Sequence, residues 1–193
     1  MKRIIYFLEH WILFPLLIAI SGLFLHEMGH GIVACFFGGT ITYVEVMPGI
    51  ELYPEIASHP WNGLIAQIGY DLPNITSFQE GFIHLMGSGT TLVISSLLLL
   101  ILIFFTPRGK IRWFTGLLIA LFPLDIITYS IFPALGWRHW IVFGGRTAEP
   151  VNGAIAMGIA KQAYYLSLGL YLVILYGVFF YWVISMKKGA PNP

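Results

Sequence analysis

Four apolar runs, near residues 11–36, 82–106, 111–133 and 163–186, constrain this chain more than any other feature. A helix needs about 20 apolar residues to cross the hydrocarbon of a bilayer, and each run reaches that length. Hydrophobic residues make up 58% of the 193 and charged residues only 10%, a composition outside the range of water-soluble domains. Hydrocarbon offers no partner to a bare backbone N–H or C=O, so the runs must be helices. The expected fold is an all-α integral membrane protein with about four transmembrane helices, forming a single domain over residues 1–193 of a multi-pass protein of the cell membrane.

The opening Met1-Lys2-Arg3 followed by apolar residues also has the form of a secretory leader. Glu9 and His10 interrupt its apolar stretch, and no small-residue cleavage site closes it, so the first run reads as a span. Charge placement gives an orientation. The segment from Gly38 to Gly81 holds Glu45, Glu51, Glu55, Asp71 and Glu80 without a Lys or Arg, whereas Arg108, Lys110 and Arg112 crowd the short second connection. With Lys2, Arg3, Lys187 and Lys188 marking the ends, the positive-inside rule turns both termini to the cytoplasm. The net charge of +1 and the lack of a basic run give no reason to expect a nucleic-acid partner. The lone Cys35 excludes an internal disulfide and leaves His, Asp and Glu as metal-ligating types.

After the first run, TITYVEV and IELY flank Met47-Pro48-Gly49, two β-rich stretches around a turn signal. They predict a short β-hairpin beside the membrane. Pro60 to Glu80 mixes apolar and turn residues and reads as interfacial or re-entrant.

Inside the first run stands His26-Glu27-Met28-Gly29-His30, the H-E-x-x-H pattern. On a helix, residues i and i+4 share a face, so both imidazoles can reach one metal ion while Glu27, one step around, approaches a water activated by it. A carboxylate in the middle of a span costs roughly 2.5–3.5 kcal/mol, and two histidines add to that cost, so a functional role is the expectation. A catalytic zinc site needs a third protein ligand. The chain has two aspartates, and one, Asp125, lies within the third apolar run. At ~1.5 Å per residue it falls near the depth of His26 if both helices start on the cytoplasmic side. Asp125 is therefore the expected third ligand, and Pro123, which removes a backbone donor, is expected to loosen the helix and aim it inward. Glu149 is the reserve candidate; before Pro150 it reads rather as the first turn of a helix capped by Thr147. His10, His59, His84 and His139 read as structural or interfacial rings.

These residues together resemble the site-2 protease family of intramembrane zinc metalloproteases. The likeness covers H-E-x-x-H in an early span, a β segment opening at Gly38-Gly39-Thr40, a small-residue motif in the next span and an aspartate in the one after. It implies zinc on His26, His30 and Asp125, with Glu27 as general base, and a membrane-spanning protein as substrate. Where the family usually carries Gly-Pro-x-x-Asn, this chain has Gly87-Ser88-Gly89-Thr90-Thr91; around the aspartate it has Phe122-Pro123-Leu124-Asp125-Ile126, without the usual Asp-Gly. Ser88, Thr90 and Thr91 are then the candidate donors near the site, and the Thr40–Val46 strand is a candidate to hold an extended substrate by β-augmentation. By this resemblance the chain is expected to be a minimal core of that family. A metal transporter or sensor using the same histidines and aspartate is the alternative, with no particular need for Glu27; haem ligation would leave Asp125 without a purpose.

Overall fold

The computed structural model describes residues 12–141 and 144–189. Lys2, Arg3, Glu9 and His10 lie outside the described residues. Helix α1 (Phe14–Phe36) leads into strands β1 (Thr40–Val46), β2 (Ile50–Tyr53), β3 (Ala57–Ser58) and β4 (Ala66–Asp71), followed by helices α2 (Ser77–Phe105), α3 (Gly109–Leu121) and α4 (Pro123–Ile131). A 3-10 turn at Pro133–Leu135, a short helix α5 (Glu149–Ala156) and the long α6 (Lys161–Gly189) complete the chain. Four helical segments, Phe14–Phe36, Ser77–Phe105, Gly109–Leu135 and Lys161–Met186, are long and apolar enough to cross a membrane. They coincide with the four apolar runs and fit a multi-pass membrane protein. Leu166, Leu170, Val173, Phe180 and Tyr181 stay exposed on α6 and Leu97, Ile101 and Phe104 on α2, as lipid-facing side chains would.

The helix ends follow local chemistry. Pro15 lies in the first turn of α1, where its missing N–H costs nothing, and Gly38 closes the helix at φ +91°. Thr76 and Gln79 form a capping box at the start of α2. The third span is not one continuous helix. Pro123 has no N–H for the carbonyl of Ile119, and that carbonyl accepts instead from Ser95 Oγ at 3.1 Å, while the next, of Ala120, accepts from Tyr176 Oη at 3.0 Å. Side chains of α2 and α6 thus satisfy backbone carbonyls at the helix break. The new helix α4 turns Asp125, Thr128 and Tyr129 inward, all buried.

The β region is larger than the expected hairpin. Four antiparallel strands lie in the order β3-β2-β1-β4. The strand Thr40–Val46, expected to offer an edge to a substrate, is central and paired on both sides, with Val46 opposite both Ile50 and Ala66. The terminal strand on the site's side is β4, which the sequence shows only as scattered apolar and turn residues around Pro60–Glu80. The sheet packs on α1 through Gly31, where an added Cβ would collide with Ile68.

The core lies between α1 and α2 and between α2, α5 and α6. Val33, Ala34 and Ile83 join α1 to α2; Ile126, Val151, Ala154, Tyr164 and Leu168 join α4, α5 and α6; Leu99, Leu102, Ile119, Leu175 and Phe179 fill the end of the bundle away from the histidines. At two crossings the backbones nearly touch. Gly29 of α1 faces the Met86 carbonyl and Thr90, and Gly81 of α2 faces Gly153 of α5, contacts that any larger residue would force apart.

Candidate metal centre

His26 and His30 lie one turn apart on the buried face of α1. The Nδ1 atom of each ring is already engaged. His30 Nδ1–H donates to the Ile83 carbonyl at 2.7 Å, and His26 Nδ1–H donates to Asp125 Oδ2 at 2.9 Å, with Ser88 Oγ also 3.2 Å from that nitrogen. A neutral imidazole that donates from one nitrogen offers a lone pair from the other. Both Nε2 atoms consequently point their lone pairs to the same place, and Glu149 Oε2 lies 3.6 Å from each.

Three observations fit this place to a metal ion. His26 Nε2 is buried without a hydrogen-bond partner, which is costly for a polar atom unless something else occupies it. A ligand atom from each of His26, His30 and Glu149 lies within 4.8 Å of the other two. Gly87 of α2 leaves the necessary space, since a Cβ there would lie against His30 Nε2 and 2.6 Å from His26 Nε2. His26, His30 and Glu149 therefore form a group that can hold a metal ion, two neutral nitrogens and one anionic oxygen. No protein-family model, curated protein or solved structure matches the chain.

The expected trio of His26, His30 and Asp125 is not the trio that converges; His26, His30 and Glu149 do. Asp125 does reach His26, as its depth predicted, but on the Nδ1 side of the ring, away from the point shared by the Nε2 atoms and Glu149. Its Oδ2 also accepts from Thr91 Oγ1 at 3.0 Å, and its Oδ1 is buried without a partner. Ser88 and Thr91 thus stand near the site as expected. Thr90 does not: its hydroxyl donates to the Met86 carbonyl at 2.6 Å and faces Gly29.

Glu149 comes to the site through α5. Its N–H bonds the Thr147 carbonyl and Pro150 occupies the first turn, as read from the sequence, but Ala148 and not Thr147 is the N-cap residue, with no side-chain cap. The Gly81–Gly153 crossing then presses α5 onto α2. Burial pushes the Glu149 carboxyl up, but the nearness of His26 and His30 outweighs it and holds the carboxyl well below the usual carboxylate range. Glu149 is an anion here.

Glu27, half-buried, lines a cavity of about 340 Å³ together with His30, His84, Tyr129, His139 and Glu149. The cavity's other wall is Gly63 to Ile68 and Tyr70, the approach to β4 and the strand itself. Two aromatic contacts brace the histidines from behind. Tyr129 lies over His26 with ring centroids 4.3 Å apart, and His139 over Tyr129 at 3.8 Å. His139 is buried, and its Nε2–H donates to the Thr147 carbonyl at 2.7 Å, fixing the connection that delivers Glu149. Burial lowers the His139 pKa and favours this neutral ring. Tyr129 was invisible as a site residue in the sequence, although its position four residues after Asp125 puts it on the same helical face.

Proposed function

We propose that the chain is an intramembrane zinc metallopeptidase, with His26, His30 and Glu149 as the ligands and Glu27 as the general base. The observation that carries this reading is the convergence of two free Nε2 lone pairs and a carboxylate at the gap left by Gly87, with a second carboxylate, Glu27, on the wall of the adjoining cavity. The resemblance of the H-E-x-x-H segment, the β region and the Asp125 helix to site-2 proteases points the same way.

A zinc ion in such a site acidifies water and polarises a carbonyl. The remaining work belongs to the chain. Asp125 and the Ile83 carbonyl hold the two imidazoles in the tautomer that leaves Nε2 free, and Asp125 raises the basicity of His26 through the ring. Glu27 takes a proton from the attacking water and returns it to the leaving amine nitrogen.

The substrate is a membrane-spanning or membrane-adjacent protein segment. Its peptide bonds must leave the helix before they can be attacked, and β4 is the sheet edge that borders the cavity, suited to pairing with an extended segment. The Lys and Arg distribution turns both termini to the cytoplasm of a cell membrane.

The test uses full-length protein reconstituted in liposomes with a transmembrane peptide carrying a fluorophore and a quencher. Wild type loaded with zinc should cleave the peptide. Glu27→Gln should keep the metal and lose on the order of 10²–10⁴-fold in rate. Equal cleavage by Glu27→Gln would remove the assigned base. Zinc entering the liposome lumen at equal rates in both proteins, with no cleavage, would favour a transporter instead.

A further inference from the structure

His84 stands on the cavity wall with no task in the mechanism above. It lies on α2 in a stripe with Gly87, Ser88 and Thr91, at i, i+3, i+4 and i+7, which is one face of a helix. Each of the other three members touches the centre. Gly87 abuts both Nε2 atoms, Ser88 approaches His26 Nδ1, and Thr91 donates to Asp125. His84 continues that face by one turn into the cavity that holds Glu27, His30 and Glu149. Its ring meets His30 edge-on, with centroids 6.1 Å apart, and it makes no hydrogen bond or ion pair with the described residues.

A half-buried imidazole with both nitrogens uncommitted contrasts with its neighbours. His30 is tied by Ile83, His26 by Asp125 and His139 by Thr147. Packing alone would be served as well by a leucine, and the two imidazole nitrogens on the cavity wall are open to a bound molecule. Attack on a peptide bond, on the other hand, creates negative charge on the carbonyl oxygen, and a fixed donor aimed at that oxygen lowers the barrier because it strengthens as the charge grows. The neutral imidazole always carries one N–H donor.

We infer that His84 is a substrate-contacting residue of this site, whose ring N–H donates to the carbonyl oxygen of the peptide bond under attack. The inference rests on the hydrolase reading. No proton changes hands at His84; the hydrogen bond is made to the carbonyl and retained as that oxygen becomes anionic.

The probe is an apolar phosphinic peptide, whose tetrahedral anionic group mimics the attacked peptide bond, titrated into zinc-loaded full-length protein in detergent. Wild type, His84→Ala and His84→Gln should carry equal zinc, since His84 is outside the ligand group. His84→Ala should bind the probe on the order of 10²–10³-fold more weakly, and His84→Gln, which keeps an N–H, should recover part of the loss. In cleavage of the transmembrane peptide, His84→Ala should lower kcat with KM nearly unchanged. Equal probe affinity in wild type and His84→Ala would overturn the inference, as would a zinc-loaded wild type that fails to bind the probe. Probe binding that depends on His84 without any cleavage would leave His84 a ligand contact and overturn the peptidase reading. Zinc missing from wild type itself would overturn both.

Discussion

His26 and Asp125, 99 residues apart in sequence, meet through one hydrogen bond, from Nδ1–H to Oδ2 at 2.9 Å, with both side chains almost wholly buried. The bond determines which nitrogen of His26 is free, and in the proposed zinc site it makes Asp125 an orienting group behind His26. Ligand and orienting residue differ in what their loss costs. Removing a ligand dismantles the site, whereas removing an outer carboxylate typically costs 10–100-fold in metal affinity.

Asp125→Asn is accordingly expected to retain zinc at saturating concentration and to bind it about 10–100-fold more weakly. His26→Ala and Glu149→Ala should hold none after gel filtration. Metal analysis of the three purified variants, with a chelator competition for the first, measures this. An Asp125→Asn protein as empty as His26→Ala, beside a Glu149→Ala protein that keeps its zinc, would return Asp125 to the ligand set and remove Glu149 from it.

Gly87 gives a second prediction, about space and not ligation. An alanine methyl there would sit between the two Nε2 atoms, in the volume an ion needs. Gly87→Ala should therefore abolish zinc binding although every ligand is intact, while alanine's better helix propensity, about 1 kcal/mol, is opposed by the collision of its methyl with both rings. Circular dichroism and metal content read the two effects separately. Normal zinc binding by Gly87→Ala would place the ion elsewhere in the cavity.

Much of this arrangement was legible beforehand because the bilayer restricts what an apolar run can be. The four long apolar helices, the shared buried face of His26 and His30, and the approach of Asp125 to His26 all follow from run length, helical spacing and depth. The role of Glu149 was harder to read. Its α5 is only eight residues long, lies outside the four spans and owes its position to the Gly81–Gly153 crossing, which joins residues 72 apart in sequence. The edge strand β4 was hidden for a related reason: its register is set by β1, and AQIGYD carries no β-rich run of its own. His84 and His139 look alike as lone histidines near apolar runs. Only tertiary packing separates the one bonded to Thr147 from the one left free on the cavity wall.

His139 yields a prediction in pH. Its folded-state pKa lies below the ordinary value of 6.5, chiefly because burial disfavours the charged ring, while the unfolded chain binds a proton near that value. The unfolded state therefore takes up more protons as pH falls past 6.5, and the stability that neutral His139 contributes is present above that pH and is lost below it. His139→Gln keeps an N–H to donate to the Thr147 carbonyl and cannot titrate. In metal-free protein, where ligand protonation no longer competes with zinc, the drop in Tm between pH 8 and pH 5.5 should be smaller for His139→Gln than for wild type, because the other titrating groups are shared. Differential scanning fluorimetry in detergent measures both drops. Equal drops would mean that the ring accepts a proton at no cost, and that burial does not hold it neutral above Tyr129.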